Sequence, residues 1–210
     1  MASSPGNFSP WAYWMLRLSA VERADGRPAD AARLEARRVA PPVSISRARN
    51  ARADWNPPDK YACDLNLVHA LVASADPLAQ NLWDLARGLD LLAGHPLVDP
   101  DRLGVVGLSH GGALALFLAA LDSRVRAAIV SGYFGSLVDA HRVPWNLCGS
   151  QVRPGMLEIL DHVDVGALVA PRAVLVETGT DDPIFAAPPV LDAMGALRRV
   201  HEADGAPDDE

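Results

Sequence analysis

The stretch Val105-Val106-Gly107-Leu108-Ser109-His110-Gly111-Gly112 runs into an alanine- and leucine-rich segment that ends at Leu121. It reads as a buried strand, a sharp turn and a helix, with Ser109 at the tip of the turn. Gly107 and Gly111 flank the serine as G-x-S-x-G, the nucleophile-elbow pattern. In so tight a turn, a side chain at either glycine collides with the neighbouring strand or helix. The serine itself is strained in a way that lifts its hydroxyl clear of the sheet. The helix behind it aims free backbone N–H groups at the place where an oxyanion would develop. The pattern points to a nucleophilic serine; the alternative is a glycine-rich turn that happens to carry one, because small residues cluster in many loops.

Strands and helices alternate around this turn. Asp76-Pro77 reads as an N-cap followed by proline at the first helical position. Leu78, Leu82, Leu85, Leu89 and Leu92 then form one stripe of an amphipathic helix, closed by Gly94 and Pro96. Leu103 to Leu108 predicts a strand, Gly111 to Leu121 a helix, and Val125 to Val130 a second strand. Ala173 to Glu177 predicts a third, and Pro188 or Pro189 opens a last helix through Val190, Met194, Leu197 and Val200. This order predicts an α/β fold with a parallel sheet and helices on both faces. Between the second and third strands lies an insertion at about 132–170, with Trp145, Cys148 and a predicted helix near Met156 to His162. Insertions at that end of a sheet commonly wall a ligand site.

Residues 1–59 differ in character. Arginine and alanine crowd the stretch from Ala20 to Ala53, and neither a short polar helix at Ala29–Arg38 nor a strand fragment at Val43–Ile45 shows an apolar face. This segment is expected to be poorly ordered, leaving 60–210 as the folded domain. The length of 210 residues makes one domain the default, and the net charge of −7 argues against a nucleic-acid or anionic-membrane partner. The 2 cysteines, Cys63 and Cys148, suggest neither a disulfide framework nor a metal site. No apolar run is long enough to span a bilayer, and a cytoplasmic location is expected. The sequence does not set the oligomeric state.

With the turn in place, the chain resembles the α/β-hydrolase superfamily, and within it the dienelactone-hydrolase and acetyl-xylan-esterase-like branch. The matching stretches are Cys63-Asp64-Leu65-Asn66-Leu67, Gln80-Asn81-Leu82-Trp83-Asp84-Leu85 and Val98-Asp99-Pro100-Asp101-Arg102. They continue with Val130-Ser131-Gly132-Tyr133, Ala170-Pro171-Arg172 and Glu177-Thr178-Gly179-Thr180-Asp181-Asp182-Pro183-Ile184-Phe185. The resemblance implies a Ser–acid–His triad acylated by an ester. It makes Ser109 the nucleophile, the backbone N–H of His110 an oxyanion donor, and Asp182, just before the proline, the acid. Asp181 is its neighbour, and an Asx-type turn ahead of Pro183 is the structural alternative for Asp182.

Two departures accompany the resemblance. The family places its histidine after the last helix, whereas the only histidine beyond Asp182 is His201, on that helix. The family's early strands, with the loop that donates a second oxyanion N–H, have no counterpart in residues 1–59. The chain is therefore expected to be a fragment or a frameshifted reading of a longer hydrolase, incomplete at both ends.

The remaining polar residues suggest less. His69 and His95 read as structural or solvated; His141 is a candidate pocket residue. Glu158, Asp161, His162 and Asp164 read as a solvated helix face, and Trp14 and Trp83 as packing residues. No phosphate cradle of the P-loop or dinucleotide type is present. The sequence thus predicts a serine hydrolase for a small-molecule carboxylic ester, with no metal or organic cofactor. The alternative is an inactive α/β-hydrolase fragment that serves as a binding module, since a serine without its base is a weak nucleophile.

Overall fold

The structure is a computed structural model that describes residues 16–22, 62–140, 149–151 and 153–205. The stretches Ala29–Arg38 and Val43–Ile45, within the segment expected to be poorly ordered, lie outside the described residues, as do Trp14, His141, Trp145 and Cys148.

The element order is β1 (Leu16–Glu22), α1 (Ala62–Val72), α2 (Pro77–Ala93), β2 (Val98–Leu108), α3 (His110–Leu121) and β3 (Val125–Ser131). It continues with α4 (Leu137–Ala140), α5 (His162–Ala167), β4 (Ala173–Glu177) and α6 (Ala187–Ala203). One sheet runs β1-β2-β3-β4. Strands β2, β3 and β4 are parallel, with Gly107 opposite Val130 and Val130 opposite Val176. The architecture is α/β, a three-stranded parallel sheet with flanking helices, and it forms part of an α/β-hydrolase-like fold. Strand β1 adds to it antiparallel, Leu16 pairing with Gly107. The sequence reading placed no strand there, although Leu16, Leu18 and Ala20 alternate with Arg17, Ser19 and Val21.

Helix α2 forms where the leucine stripe predicts it. Asp76 accepts the N–H of Ala79 at 3.0 Å, which supplies the cap. Leu78, Leu82, Leu85 and Leu89 are buried against the core, each stabilising by about 1.5–3 kcal/mol relative to exposure. Helix α3 is buried on all sides from His110 through Ala119, since it sits between the sheet on one flank and α2 and α5 on the other. Its hydrophobic character all round follows from that position.

The covered face of the sheet carries Leu103, Val105, Ala128 and Val130, all buried. The opposite face is more open, with Val106 and Ile129 half-buried. Among the described residues, strand β4 is the last of the sheet, and it alternates between exposed Ala173, Leu175 and Glu177 and half-buried Val174 and Val176.

The helix expected near Met156–His162 is displaced. Met156–Glu158 forms only a single 3-10 turn, and the helix begins at His162. A capping box sets that start: the N–H of Asp161 donates to Asp164 Oδ2 at 2.7 Å, while the Asp161 carboxylate caps the first turn. Asp161 also accepts from Ser136 Oγ at 3.0 Å and from the N–H of Leu137 at 2.7 Å, tying α4 to α5. It is a half-buried structural carboxylate, not part of a solvated face. His162 is fully buried.

Candidate active site

Ser109 occupies the turn between β2 and α3 with φ 55° and ψ −120°, a conformation L-residues seldom adopt. Its N–H donates to the carbonyl of Ser131 at the end of β3, at 2.8 Å, and its carbonyl accepts from the N–H of Ala113 at 3.0 Å. Its side chain makes no capping bond to α3 and is half-buried. The hydroxyl is thus not spent on the helix. A Cβ on Gly107 would overlap the carbonyl of Gly111 and lie 2.7 Å from the nitrogen of Gly112; one on Gly112 would lie 2.9 Å from Tyr133 Cβ. The glycines are what allow α3 to leave the strand so abruptly.

His110 is the first residue of α3, so its N–H stands at the N-terminal end of the helix, next to Ser109 in the chain. Its imidazole is 1% exposed, and burial lowers its pKa to about 4. At neutral pH it is an uncharged packing group.

Asp182 sits in the loop after β4. Its Oδ1 accepts from the N–H of Ile184 at 2.8 Å and of Phe185 at 2.9 Å. These bonds form the Asx-type turn that the sequence allowed. The other oxygen, Oδ2, lies 3.8 Å from where a Cβ on Gly132 would stand, and Leu108 Cδ1 lies 3.5 Å from that same point. Gly132 follows β3, so the carboxylate faces the C-terminal end of the sheet, where β2 delivers Ser109. One strand, β3, separates the two. Asp182 is half-buried while Asp181 is exposed. Thr178 closes the loop by donating to the carbonyl of Phe185 at 3.2 Å.

Among the described residues, no hydrogen bond joins a histidine to Ser109 Oγ or to Asp182. His201 lies in the last turn of α6. It stands fourteen residues beyond Ala187, about 21 Å along the helix from the end that follows the Asp182 loop. His162 is enclosed by Tyr133, Phe134 and Phe185 at ring-centroid distances of 4.7, 6.1 and 5.9 Å. Sequence reasoning missed this aromatic cluster, because its members are far apart in the chain. Trp83, expected to pack, is 63% exposed with the Arg87 guanidinium 4.6 Å above its ring. No three His, Cys, Asp or Glu side chains among the described residues could hold a metal ion together. No helix of the described residues is long and apolar enough to cross a membrane.

The parallel order of β2, β3 and β4, with helices on their flanks, is part of an α/β-hydrolase-like fold. Comparison with known proteins specifies it further. Residues 69–150, which include β2, the Ser109 turn and α3, match the acetyl xylan esterase (AXE1) family. It is 30% identical over 132 residues to YtaP of Bacillus subtilis (strain 168), a protein described as a hydrolase. That match takes in 60% of this chain and 43% of the relative, so the chain spans less than half of the relative's length. Two solved structures share the fold with a TM-score of 0.50. One is a promiscuous CE15 esterase from a marine bacterial metagenome, at 22% identity over 63% of this chain and 38% of that one. The other is the glucuronoyl esterase catalytic domain from Hypocrea jecorina, at 21% identity over 63% of this chain and 43% of that one.

Proposed function

We propose that this chain carries the nucleophile and acid of a serine hydrolase that acts on a carboxylic ester, and that the Ser109 turn is its nucleophile elbow. The observation that carries the reading is the Ser109 hydroxyl: strained backbone, no capping bond, and the first N–H of α3 beside it. In the reaction Ser109 Oγ attacks the ester carbonyl while a histidine takes its proton, and the N–H of His110 donates to the developing oxyanion. The alcohol leaves with that proton, and water then releases the acid from the acyl-enzyme by the same route. Asp182 is suited to orient the histidine because its two oxygens are divided: Oδ1 is fixed by backbone N–H groups and Oδ2 is left to accept the imidazole N–H. The esterase and hydrolase relatives support a carboxylic ester as substrate.

A second reading is a binding module of the same fold, without turnover. It is favoured by the lack of any hydrogen bond between a described histidine and either Ser109 or Asp182. Treating the full chain with a fluorophosphonate and mapping the adduct by mass spectrometry decides between the two. Labelling confined to Ser109 and absent from Ser109→Ala supports the hydrolase. An unlabelled Ser109 in the folded chain favours the binding module.

A further inference from the structure

We propose that the gap over Gly132, between Ser109 and Asp182, is a binding site for a free neutral azole, which enters from solvent and supplies Ser109 with an exchangeable base. As a step in catalysis this rests on the hydrolase reading; as a binding site it does not. Ser109 directly follows β2 and Asp182 stands in the loop after β4, with β3 between them. Two strand spacings of about 4.8 Å set the two backbones roughly 10 Å apart. Imidazole, with a hydrogen bond of about 2.7–3.0 Å at each ring nitrogen, spans a gap of that order once the two short side chains lean inward.

Gly132 keeps the gap open. A Cβ on it would lie 3.5 Å from Leu108 Cδ1 and 3.8 Å from Asp182 Oδ2, so a side chain there would stand against both. Its φ of 56° also favours glycine at this position. Leu108 is 42% exposed, while Ser109, Gly132 and Asp182 are half-buried. Solvent therefore reaches the gap, and a five-membered ring can enter without moving a strand or helix.

The chemistry of the ligand follows from the two groups that face each other. Among the described residues neither Ser109 Oγ nor Asp182 Oδ2 has a hydrogen-bond partner, because Oδ1 takes the N–H groups of Ile184 and Phe185. A carboxylate oxygen only accepts and the serine hydroxyl has a proton to give. Their common ligand must donate at one end and offer a lone pair at the other, as neutral imidazole does. An ammonium ion would pair with Asp182 but has no lone pair for the serine, and Asp182 repels a carboxylate. The Leu108 side chain supplies carbon against which the ring can lie. In the reaction imidazole takes the proton from Ser109 Oγ as the new Oγ bond forms. The imidazolium is then held by Asp182, and it returns the proton to the leaving alcohol.

The test compares imidazole with 1-methylimidazole, which is similarly basic but has no N–H for Asp182, on the full chain at pH 8. Two readouts are scored separately: shifts of the Gly132 and Asp182 amide signals in NMR, and the rate of fluorophosphonate labelling mapped to Ser109. Imidazole should shift both amides saturably and raise the labelling rate about tenfold or more, a modest share of what a positioned general base supplies. 1-Methylimidazole should do neither. Asp182→Asn, which keeps an oxygen for the loop and turns an NH2 toward the ring, should lower the imidazole effect at least fivefold. Equal effects of the two azoles, no amide shift with imidazole, or a full effect in Asp182→Asn would each overturn the proposal. Rapid labelling that imidazole does not raise would overturn it too, since a base of the chain then fills the gap, and would keep the hydrolase. Saturable amide shifts without any labelling of Ser109 would keep the azole site and remove the hydrolase.

Discussion

Ser109, just past the end of β2, is joined to Ser131, the last residue of β3, its N–H donating to the Ser131 carbonyl at 2.8 Å. The bond holds the serine to β3 while its backbone stays at φ 55°. Strain of this kind costs about 1–3 kcal/mol and persists only where the surroundings impose it. Ser109→Gly should therefore be more stable than Ser109→Ala by about 1 kcal/mol or more in urea unfolding, because glycine adopts this conformation without penalty. Equal stability of the two variants would show that the turn is unstrained.

Gly107→Ala should cost about 3 kcal/mol or more, since the new methyl group overlaps backbone at Gly111 and cannot be relieved by a rotamer change. Gly155→Ala is the comparison: a Cβ there meets nothing within 4 Å, leaving only the strain of φ 77°. Unfolding midpoints of the two variants measure the difference, and Gly107→Ala should be clearly the worse.

Acid sensitivity should centre on His110. Its pKa is lowered from 6.5 to about 4 in the folded chain, so between those values the unfolded state binds more protons and stability falls as pH falls. Over the whole window the loss is about 3 kcal/mol, of which about 2 kcal/mol is spent between pH 6.5 and 5. His110→Gln should flatten this part of the stability–pH curve. A variant curve parallel to that of the parent would place the acid sensitivity elsewhere.

Asp182→Asn and Asp182→Ala should separate the two duties of this residue. Asparagine keeps an oxygen for the N–H groups of Ile184 and Phe185, so folding should change little, whereas alanine strands both donors at a cost of about 1–3 kcal/mol. Both should lower the rate of Ser109 acylation wherever a histidine is engaged. A normal rate in Asp182→Asn would restrict this carboxylate to holding its loop.

What the sequence made legible follows local chemistry. The leucine stripe of α2, the apolar run of β3 and the glycines around Ser109 each state their structure within a few residues, and the elements fall where they predict. The antiparallel strand at Leu16–Glu22 was less visible, because a single short alternation is weak until its partner Gly107 is known. Asp161 and His162 read as solvated for the same reason. The groups that bury them, Ser136, Tyr133 and Phe185, come from loops after β3 and β4.

Strand β4 bears on how this chain behaves in the tube. Among the described residues no strand pairs with the outer side of Ala173-Val174-Leu175-Val176, and Leu175 is 52% exposed; apolar borders of this kind recruit strands from other molecules. Arg172 is occupied with the carbonyls of Val125 and Leu168, which leaves Glu177 as the charge that guards it. The concentration at which the chain begins to precipitate should therefore depend more on Glu177 than on any residue around Ser109.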